Sequence, residues 1–346
     1  MRKIYFLLLT ILFAAIVNAQ VSGYLFSSSA GTYTAISGGT LLSGVGVADD
    51  DNLYSGVPIG FSFVYHGTSY TTLGVNANGY MSFSGTAPGN FYNGTSIQNV
   101  ANAVHPFSED LYGTAATCEI EYLTTGVAGS RIFTIQWKDW GFFSSGGNEI
   151  NFQLQLYEGT NVIQFVYKPG TPATTQTCQA GLTGVTTADF KSRTTTTDWS
   201  ATTASAVNTA QLTWNAGVFP ANGLTYTFTP PPPCVTPANQ PTALVLTPAV
   251  VQIAGSFTAA AGSPDAYLVV RYPNGAASTN PVNGTTYTVG GSLGLGTIIS
   301  TSNSTSFTAT SLSPSTAYDF YIYSYNSACA GGPLYLTTSP VSASTW

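Results

Sequence analysis

The chain has 346 residues and a formal net charge of −6, and 44% of its residues are hydrophobic while only 6% are charged. This length allows two domains that each bury a core, and the hydrophobic content excludes a disordered chain. The acidic balance provides no basic surface for phosphate backbones, so we do not expect nucleic acid as a partner.

Residues 1–19 have the pattern of a secretory signal peptide. Arg2 and Lys3 precede an apolar run over residues 4–17, and small residues stand before Gln20 as in a cleavage site. A membrane anchor, the alternative, needs about 20 apolar residues, and this run is shorter. We therefore expect a secreted, extracellular or cell-surface protein with no membrane span after signal cleavage.

The densest charge cluster of the sequence follows two short patterns typical of edge strands, at residues 33–36 and 40–42. It consists of Asp49, Asp50, Asp51 and Asn52. Carboxylate and amide oxygens are hard ligands that calcium prefers, so these four residues are a candidate calcium site. The glutamate that an EF-hand loop places at its twelfth position is missing, and a solvated acidic turn is the alternative interpretation. The sequence requires no cofactor, and calcium is the one ion that this cluster could bind.

Alternation of apolar and polar residues predicts β-strands along the chain. Residues 59–83 predict three short strands, broken at Gly67 and at Asn78-Gly79. Residues 151–157 and 163–167 predict a hairpin with its turn at residues 158–161. Because such a meander has only one apolar face, it requires an opposing sheet, and we expect a β-sandwich over residues 20–228.

Catalytic patterns are missing from this sequence. His66 and His105 are its only imidazoles, and it contains no GxSxG motif. A glycosidase could work with carboxylic acids alone, but none of the candidates stands in a run apolar enough to raise its pKa. The candidates are Glu109, Asp110, Glu119, Glu121, Asp139 and Glu149. We therefore expect a protein that is not an enzyme.

A group of aromatic residues offers a candidate carbohydrate site. Trp140, Phe142 and Phe143 stand near a glycine-rich loop and could stack on sugar rings. Asp139 and Asn148 would supply hydrogen bonds to hydroxyl groups. Packing of these rings in the core is the alternative.

The four cysteines form an even number in a chain with an export signal, so we expect disulfides. Three pairings are open to four cysteines. The predicted domain boundary selects Cys118 with Cys178 and Cys234 with Cys329.

Consecutive prolines at residues 230–233 begin an extended linker, which we place at residues 229–241. Beyond it, short strands separated by turns predict a second β-sandwich over residues 242–346. The predicted fold class is therefore all-β, with two sandwiches joined by a proline-rich linker.

Both predicted domains resemble known families. The order GFSFVYHG, NGYMSF, HPFSEDL, RIFTIQW and INFQLQLYEGTNVIQFVY, within residues 55–190, resembles the nidogen-like extracellular β-domain, and Asp110 matches that family's acidic loop position. Residues 312–318 resemble the fibronectin type III signature, in which Tyr318 would form the tyrosine corner. The usual core tryptophan of that module is absent, and Phe257 lies nearby in the sequence.

The resemblance implies extracellular adhesion, display or matrix assembly and brings no catalytic residues. A carbohydrate-binding accessory protein for extracellular polysaccharide is one alternative, and a subunit of an extracellular fibre is another. The expected partners are accordingly other surface proteins, extracellular polysaccharide or further copies of the chain.

Overall fold

The computed structural model describes residues 20–345 except 47, 93, 114–115, 145–149, 171 and 173–174. The fold is nearly all β, with 49% strand and 3% helix, which confirms the predicted fold class. No helix among the described residues is long and apolar enough to cross a membrane. The chain divides into two compact units, and the division falls between Pro231 and Pro232.

In its described residues the first unit has sixteen strands, a four-residue helix α1 (Ser96–Asn99) and two single 3-10 turns, Val21–Gly23 and Trp199–Ala201. The strands are β1 (Leu25–Ala30), β2 (Thr40–Ser43), β3 (Leu53–Tyr65), β4 (Thr68–Asn76), β5 (Tyr80–Ser82), β6 (Ala103–Ser108), β7 (Leu111–Tyr112), β8 (Glu119–Thr125), β9 (Ile132–Phe142), β10 (Ile150–Tyr157), β11 (Ile163–Tyr167), β12 (Gln176–Thr183), β13 (Phe190–Thr194), β14 (Thr203–Ala204), β15 (Leu212–Trp214) and β16 (Leu224–Thr229).

These strands form two antiparallel sheets that share one core. Sheet 1 has the order β1-β16-β11-β10-β9-β8-β2, with β7 on β9, and sheet 2 has the order β14-β13-β12-β6-β5-β4-β3, with β15 on β12. Alternate residues of both sheets, such as Phe63, Val75, Ile135 and Leu154, are fully buried in one cluster. The alternating pattern of the sequence therefore produces a sandwich with its aromatic and aliphatic side chains inside.

The strongest predicted element, the β10–β11 hairpin, is confirmed, with register from Phe152 opposite Tyr167 to Leu156 opposite Ile163. The three strands predicted within residues 59–83 are confirmed as β3, β4 and β5, with breaks at Gly67 and at Asn78-Gly79, but β3 is longer than predicted, at 13 residues. Its register shifts between Tyr54 and Val57 and again between Pro58 and Phe63. Each irregular stretch contains a glycine with positive φ, Gly56 or Gly60, as β-bulges of the G1 type do.

Residues 31–39, which we call the crossing segment, are not the predicted edge strand. This segment leaves β1 at one edge of sheet 1 and enters β2 at the opposite edge, lying over the outer face of the sheet between them. Two of its polar anchors on the sheet, Gln136 and Gln153, are fully buried beneath it. Long-range side-chain contacts therefore override the local strand pattern at residues 33–36.

The second unit contains the remaining nine strands. They are β17 (Thr242–Pro248), β18 (Ile253–Thr258), β19 (Ala266–Pro273), β20 (Ser292–Leu293), β21 (Gly296–Ser302), β22 (Ser306–Ala309), β23 (Tyr318–Asn326), β24 (Leu334–Tyr335) and β25 (Val341–Thr345). A three-stranded sheet has the order β17-β18-β22, and a six-stranded sheet has the order β20-β21-β19-β23-β24 with β25 on β23.

The predicted disulfide between Cys234 and Cys329 is confirmed, with Cα atoms 4.8 Å apart. This disulfide joins the proline-rich segment to the second unit. Pro233 of the same segment also forms an isolated β-bridge with Ala330. The Asn326 side-chain amide also donates to the Val235 carbonyl at 2.8 Å. The segment predicted as a linker therefore packs on the second unit from Pro233 onward.

The predicted disulfide between Cys118 and Cys178 is wrong, since both residues are buried thiols. Cys118 directly precedes β8 in sheet 1, whereas Cys178 lies on β12 in sheet 2. Burial raises the pKa of the Cys178 thiol well above its ordinary value, so this residue behaves as a small core side chain.

Candidate functional site

An open pocket of about 310 Å³ lies where four loop segments of the first unit meet, and its walls combine carboxylates with aromatic rings. It is lined by Asp50, Asp51, Asp110, Tyr92 and Phe143. One oxygen from each of the three aspartates lies within 4.8 Å of the others. The structure thus brings two residues of the predicted acidic cluster together with Asp110, the residue singled out by family resemblance.

The other two residues of the predicted calcium cluster do not line this pocket. The Tyr54 hydroxyl donates to Asp49 Oδ2 at 2.6 Å, and Asp49 is only 2% exposed. The Asn52 carbonyl accepts from the Ala77 N–H at 3.0 Å. Both residues therefore hold the acidic turn in place and leave Asp50 and Asp51 to face the pocket.

Asn78, in the turn between β4 and β5, connects the two acidic turns. Its side-chain nitrogen donates to Asp51 Oδ1 at 2.9 Å, and its side-chain oxygen accepts from the Leu111 N–H at 2.7 Å. The following residue, Gly79, has φ +80°, and a Cβ there would lie 2.1 Å from the Phe107 carbonyl oxygen. Glycine at position 79 therefore allows the close approach to Phe107, and the Asn78 side chain holds Asp51 near the turn that carries Asp110.

The aromatic residues form the rim of the pocket. The Tyr92 hydroxyl donates to Asp51 Oδ2 at 2.8 Å, and the Tyr92 side chain is 40% exposed. Phe143 is 54% exposed and meets the Tyr112 ring edge-on at a centroid distance of 5.7 Å. Exposed rings beside carboxylates can contact a ligand through both apolar and charged groups.

The electrostatics of the pocket disfavour three ionised carboxylates. Burial, followed by repulsion from neighbouring aspartates, raises the pKa of Asp50 and of Asp110. Asp50 Oδ1 is buried and has no hydrogen-bond partner among the described residues. The two salt bridges in the described part of the chain, Arg131–Glu158 and Lys138–Glu119, do not involve these aspartates. The pocket therefore presents negative charge that no neighbouring cation of the described chain neutralises.

Glu109, next to Asp110, contradicts the expectation that no carboxylic acid has an apolar environment. It is 4% exposed, and burial raises its pKa to about 8. The preceding strand β6 is buried at all six positions, so both of its faces are covered. The sequence of β6, AVHPFS, lacks the apolar and polar alternation of a strand with one wet face, and this was the only signal that both of its faces are covered.

The carbohydrate prediction is wrong for Trp140 and Phe142, since these rings are 0% and 1% exposed and cannot stack on a sugar. Trp140 donates its indole N–H to the Glu119 carbonyl at 3.1 Å. Asp139 accepts from the Thr117 hydroxyl, and Asn148 lies outside the described residues. Of the predicted platform, Phe143 alone among the described aromatic residues is exposed.

The two histidines have packing roles. His105 Nδ1 lies 2.7 Å from Ser96 Oγ, a distance suited to a nucleophile and its base, but both residues are fully buried. Burial lowers the pKa of His105 to about 3. His66 Nε2 contacts Asn102 Oδ1 at 2.6 Å, and this ring is also buried. Neither imidazole can reach a substrate from these positions.

Comparisons with known proteins give one family match. A family described as NIDO related matches residues 23–230, which is more than half of the chain. No curated protein matches the chain significantly. Among solved structures, a computationally redesigned β-sandwich protein is 20% identical and covers 30% of this chain and 85% of its own, with a TM-score of 0.22. That TM-score is too low to carry an argument.

Proposed function

The chain belongs to the NIDO-related family through residues 23–230, and from this premise we propose that it is a secreted or cell-surface protein that binds other molecules without catalysis. A NIDO-related domain suggests an extracellular protein-interaction domain. The roles that follow are adhesion, surface display or matrix assembly, with other surface proteins as partners.

One observation carries this proposal: the reactive groups of the first unit are buried, whereas the acidic and aromatic pocket is open. His105, Cys178 and Glu109 are all at least 95% buried. Tyr92 and Phe143, by contrast, expose large aromatic surfaces beside three carboxylates. Exposed aromatic residues next to polar groups are typical of binding surfaces.

Attachment of the labelled mature chain to intact cells of its source tests the proposal. Truncation of two contact aromatics, Tyr92→Ala with Phe143→Ala, should weaken saturable attachment about thirtyfold, because two losses of about 1 kcal/mol add to about 2 kcal/mol and each 1.4 kcal/mol is a factor of ten. The matched control is Val127→Ala, since Val127 is 73% exposed but lies outside the pocket. Equal loss in both variants, or attachment unaffected by the double variant, would refute the role of the pocket.

We propose calcium as a ligand of the same pocket, with Asp50, Asp51 and Asp110 as its protein ligands. The convergence of three carboxylate oxygens within 4.8 Å supports this choice, as does the unpartnered Asp50 Oδ1. Calorimetric titration with calcium chloride should give one site that Asp110→Asn weakens. Unchanged calcium affinity in Asp110→Asn would exclude these ligands.

For the second unit we propose a fibronectin type III-like sandwich over residues 242–346, separate from the first sandwich over residues 20–228. Supporting observations are the division into three-stranded and larger sheets and the position of Tyr318, whose hydroxyl accepts from the Ser313 N–H at 3.2 Å. Phe257 packs edge-on against Tyr267 where the usual core tryptophan is missing. Expression of residues 232–346 alone, followed by circular dichroism and thermal melting, tests whether this unit folds independently.

The carbohydrate alternative now depends on Phe143 and Asp139, and a glycan array with Phe143→Ala as control tests it. The fibre alternative depends on open strand edges. Part of the free edge of β3 is covered, because Arg131 Nη1 donates to the Gly60 carbonyl at 2.7 Å and Asn161 Oδ1 accepts from the Val64 N–H at 2.8 Å. Another chain could therefore not pair with β3 at these two positions.

A further inference from the structure

The disulfide between Cys234 and Cys329 lies close to the point where the chain passes from the first unit to the second. The division between the units falls after Pro231, and the disulfide joins residues 95 positions apart in the sequence. We call residues 232–235 the clamped segment, because they follow the division directly and contain Cys234. Residues 230–231, both proline, connect β16 of the first unit to this segment.

Three hydrogen bonds fasten the clamped segment to the turn that carries the second cysteine. The Ala330 N–H donates to the Pro232 carbonyl at 2.8 Å, and the Cys234 N–H donates to the Ala330 carbonyl at 2.7 Å. The Asn326 side-chain amide donates to the Val235 carbonyl at 2.8 Å. The disulfide and these bonds therefore hold the same few residues on the second unit.

The hydrogen bonds alone are a weak anchor because the clamped segment is exposed to water. Val235 is 69% exposed, and both cysteines are half-buried. Ordering a chain segment costs conformational entropy, and a few exposed hydrogen bonds do not offset that cost because they compete with bonds to water. The clamped segment therefore stays in place while the disulfide is closed, and thiols can reach this disulfide because it is not fully buried.

A second anchor follows the clamped segment and does not involve the disulfide. The Asn239 side chain donates to the Ala261 carbonyl at 3.1 Å. The Gln240 side chain donates to the Leu336 carbonyl at 2.7 Å and accepts from the Ser324 N–H at 2.9 Å. Ser324 lies on β23, which pairs with β19 along the larger sheet, so this anchor persists when the disulfide opens.

The state of the disulfide sets the length of free chain before the second anchor. With the disulfide closed, residues 236–238 are free, and they span at most about 11 Å when extended. With the disulfide open, residues 230–238 are free, and they span at most about 32 Å. Because a protease must accommodate an extended stretch of its substrate, the short stretch is a poor substrate and the long stretch is a good one.

The sequence of the free stretch decides which protease can cut it. Residues 230–238 contain no lysine or arginine, so trypsin-like proteases have no cleavage site there. Val235 is a small aliphatic residue followed by Thr236. A small specificity pocket of the elastase type accepts such a residue. The bond between Val235 and Thr236 is therefore the candidate cleavage site.

We propose that this disulfide controls the proteolytic separation of the two units. A dithiol reduces it by thiol–disulfide exchange, in which the dithiol is oxidised to a disulfide while Cys234 and Cys329 become thiols. An endopeptidase specific for small aliphatic residues then adds one water across the Val235–Thr236 bond, which leaves a carboxylate on Val235 and an amine on Thr236. The first unit is then free, because the described residues contain no second disulfide.

The disulfide acts at two stages of this separation. While it is closed, it withholds the Val235–Thr236 bond from the protease. A chain that is nevertheless cut at this bond stays joined, because Cys234 remains covalently attached to Cys329. The proposal thus concerns release of the unit that carries the acidic pocket, and it does not depend on what that pocket binds.

Limited proteolysis of the mature chain with elastase tests the proposal. One sample keeps the disulfide, and the other is reduced with dithiothreitol, alkylated with iodoacetamide and freed of both reagents before the protease is added. Mass spectrometry measures the rate of cleavage after each valine. Cleavage after Val235 should be at least about tenfold faster in the alkylated sample, since proteolysis follows the population of the open segment. Cys234→Ser with Cys329→Ser should give the same acceleration without any reagent.

Two exposed valines in other loops are internal controls. Val282 of the second unit is 61% exposed and Val127 of the first unit is 73% exposed. Cleavage after either valine should be equally fast in all samples. Equal rates after Val235 with the disulfide closed and open would overturn the proposal. An equal acceleration after Val282 would also overturn it, because the disulfide would then hold the whole second unit folded and not the clamped segment alone.

Discussion

Replacement of Glu109 by glutamine should stabilise the first unit, and the gain should grow with pH. Glu109 has its pKa raised from 4.5 to about 8 by burial. A carboxylic acid with a raised pKa in the folded state binds its proton more tightly there than in the unfolded chain. Folding stability therefore falls as pH rises from 4.5 and stops falling above about pH 8.

The size of the stability difference follows from the gap between the ordinary pKa of 4.5 and the folded-state pKa of about 8. Each tenfold change in proton affinity is about 1.4 kcal/mol, so Glu109 destabilises the fold by about 3 kcal/mol at pH 7 and by at most about 5 kcal/mol above pH 8. Glutamine has nearly the same shape and no charge to bury. The difference in unfolding free energy between Glu109→Gln and the wild type should thus rise from near zero at pH 4 to a few kcal/mol at pH 8.

Urea titrations at pH 4, 5.5, 7 and 8.5, followed by tryptophan fluorescence, measure this difference. The described tryptophans, Trp137, Trp140, Trp199 and Trp214, are all buried in the first unit, so their emission reports its unfolding. Glu158→Gln is the control with opposite sign, because hydrogen bonding from Arg131 lowers the pKa of Glu158 to about 2. That variant should lose stability above about pH 4.5 and recover it as the pH falls toward 2. A Glu109→Gln gain that is the same at every pH would refute the reasoning.

Three further predictions concern positions that hold the site and the second unit. Asn78→Ala removes the hydrogen bonds to Asp51 and Leu111 and leaves the buried Leu111 N–H unpaired. The unfolding free energy from urea titration should therefore fall by about 2 to 4 kcal/mol. A loss below about 0.5 kcal/mol would contradict this role. Gly79→Ala forces a Cβ against the Phe107 carbonyl and should cost well over the roughly 1 kcal/mol expected for Gly129→Ala, since Gly129 has a similar φ but open space around it; equal melting temperatures of the two variants would be inconsistent with the clash. Cys234→Ser with Cys329→Ser should destabilise the second unit by about 2 to 5 kcal/mol in calorimetry and leave the tryptophan transition of the first unit unchanged; a shift of that transition would show that the disulfide acts beyond its own unit.

Alternation of apolar and polar residues was sufficient to predict strands whose two faces carry different kinds of side chain. In the β10–β11 hairpin the apolar residues, such as Leu154 and Phe165, face the core, and the register agrees with the predicted turn at residues 158–161. The same rule fails for β6, which is buried on both faces and so hides the environment of Glu109. It also fails for residues 33–36, because glutamine side chains distant in sequence bind that backbone in place of a strand partner.

The candidate site was only partly predictable for a similar reason. The sequence shows the acidic cluster at residues 49–52, and the resemblance singles out Asp110, but no local pattern says which aspartates share a pocket. Their convergence depends on Asn78 and on the turn that Gly79 permits. In the same way, counting cysteines could not show that Cys118 and Cys178 belong to opposite sheets.

A photocrosslinking amino acid at the pocket rim tests the central claim most directly. The mature chain carries a benzophenone side chain at Phe143 in one sample and at Val127 in the other, and each is irradiated while attached to intact cells of its source. Binding through the pocket predicts a discrete covalent adduct from position 143, suppressed by excess unlabelled chain, and none from position 127. Saturable attachment that gives no adduct from position 143, or equal adducts from both positions, would contradict it.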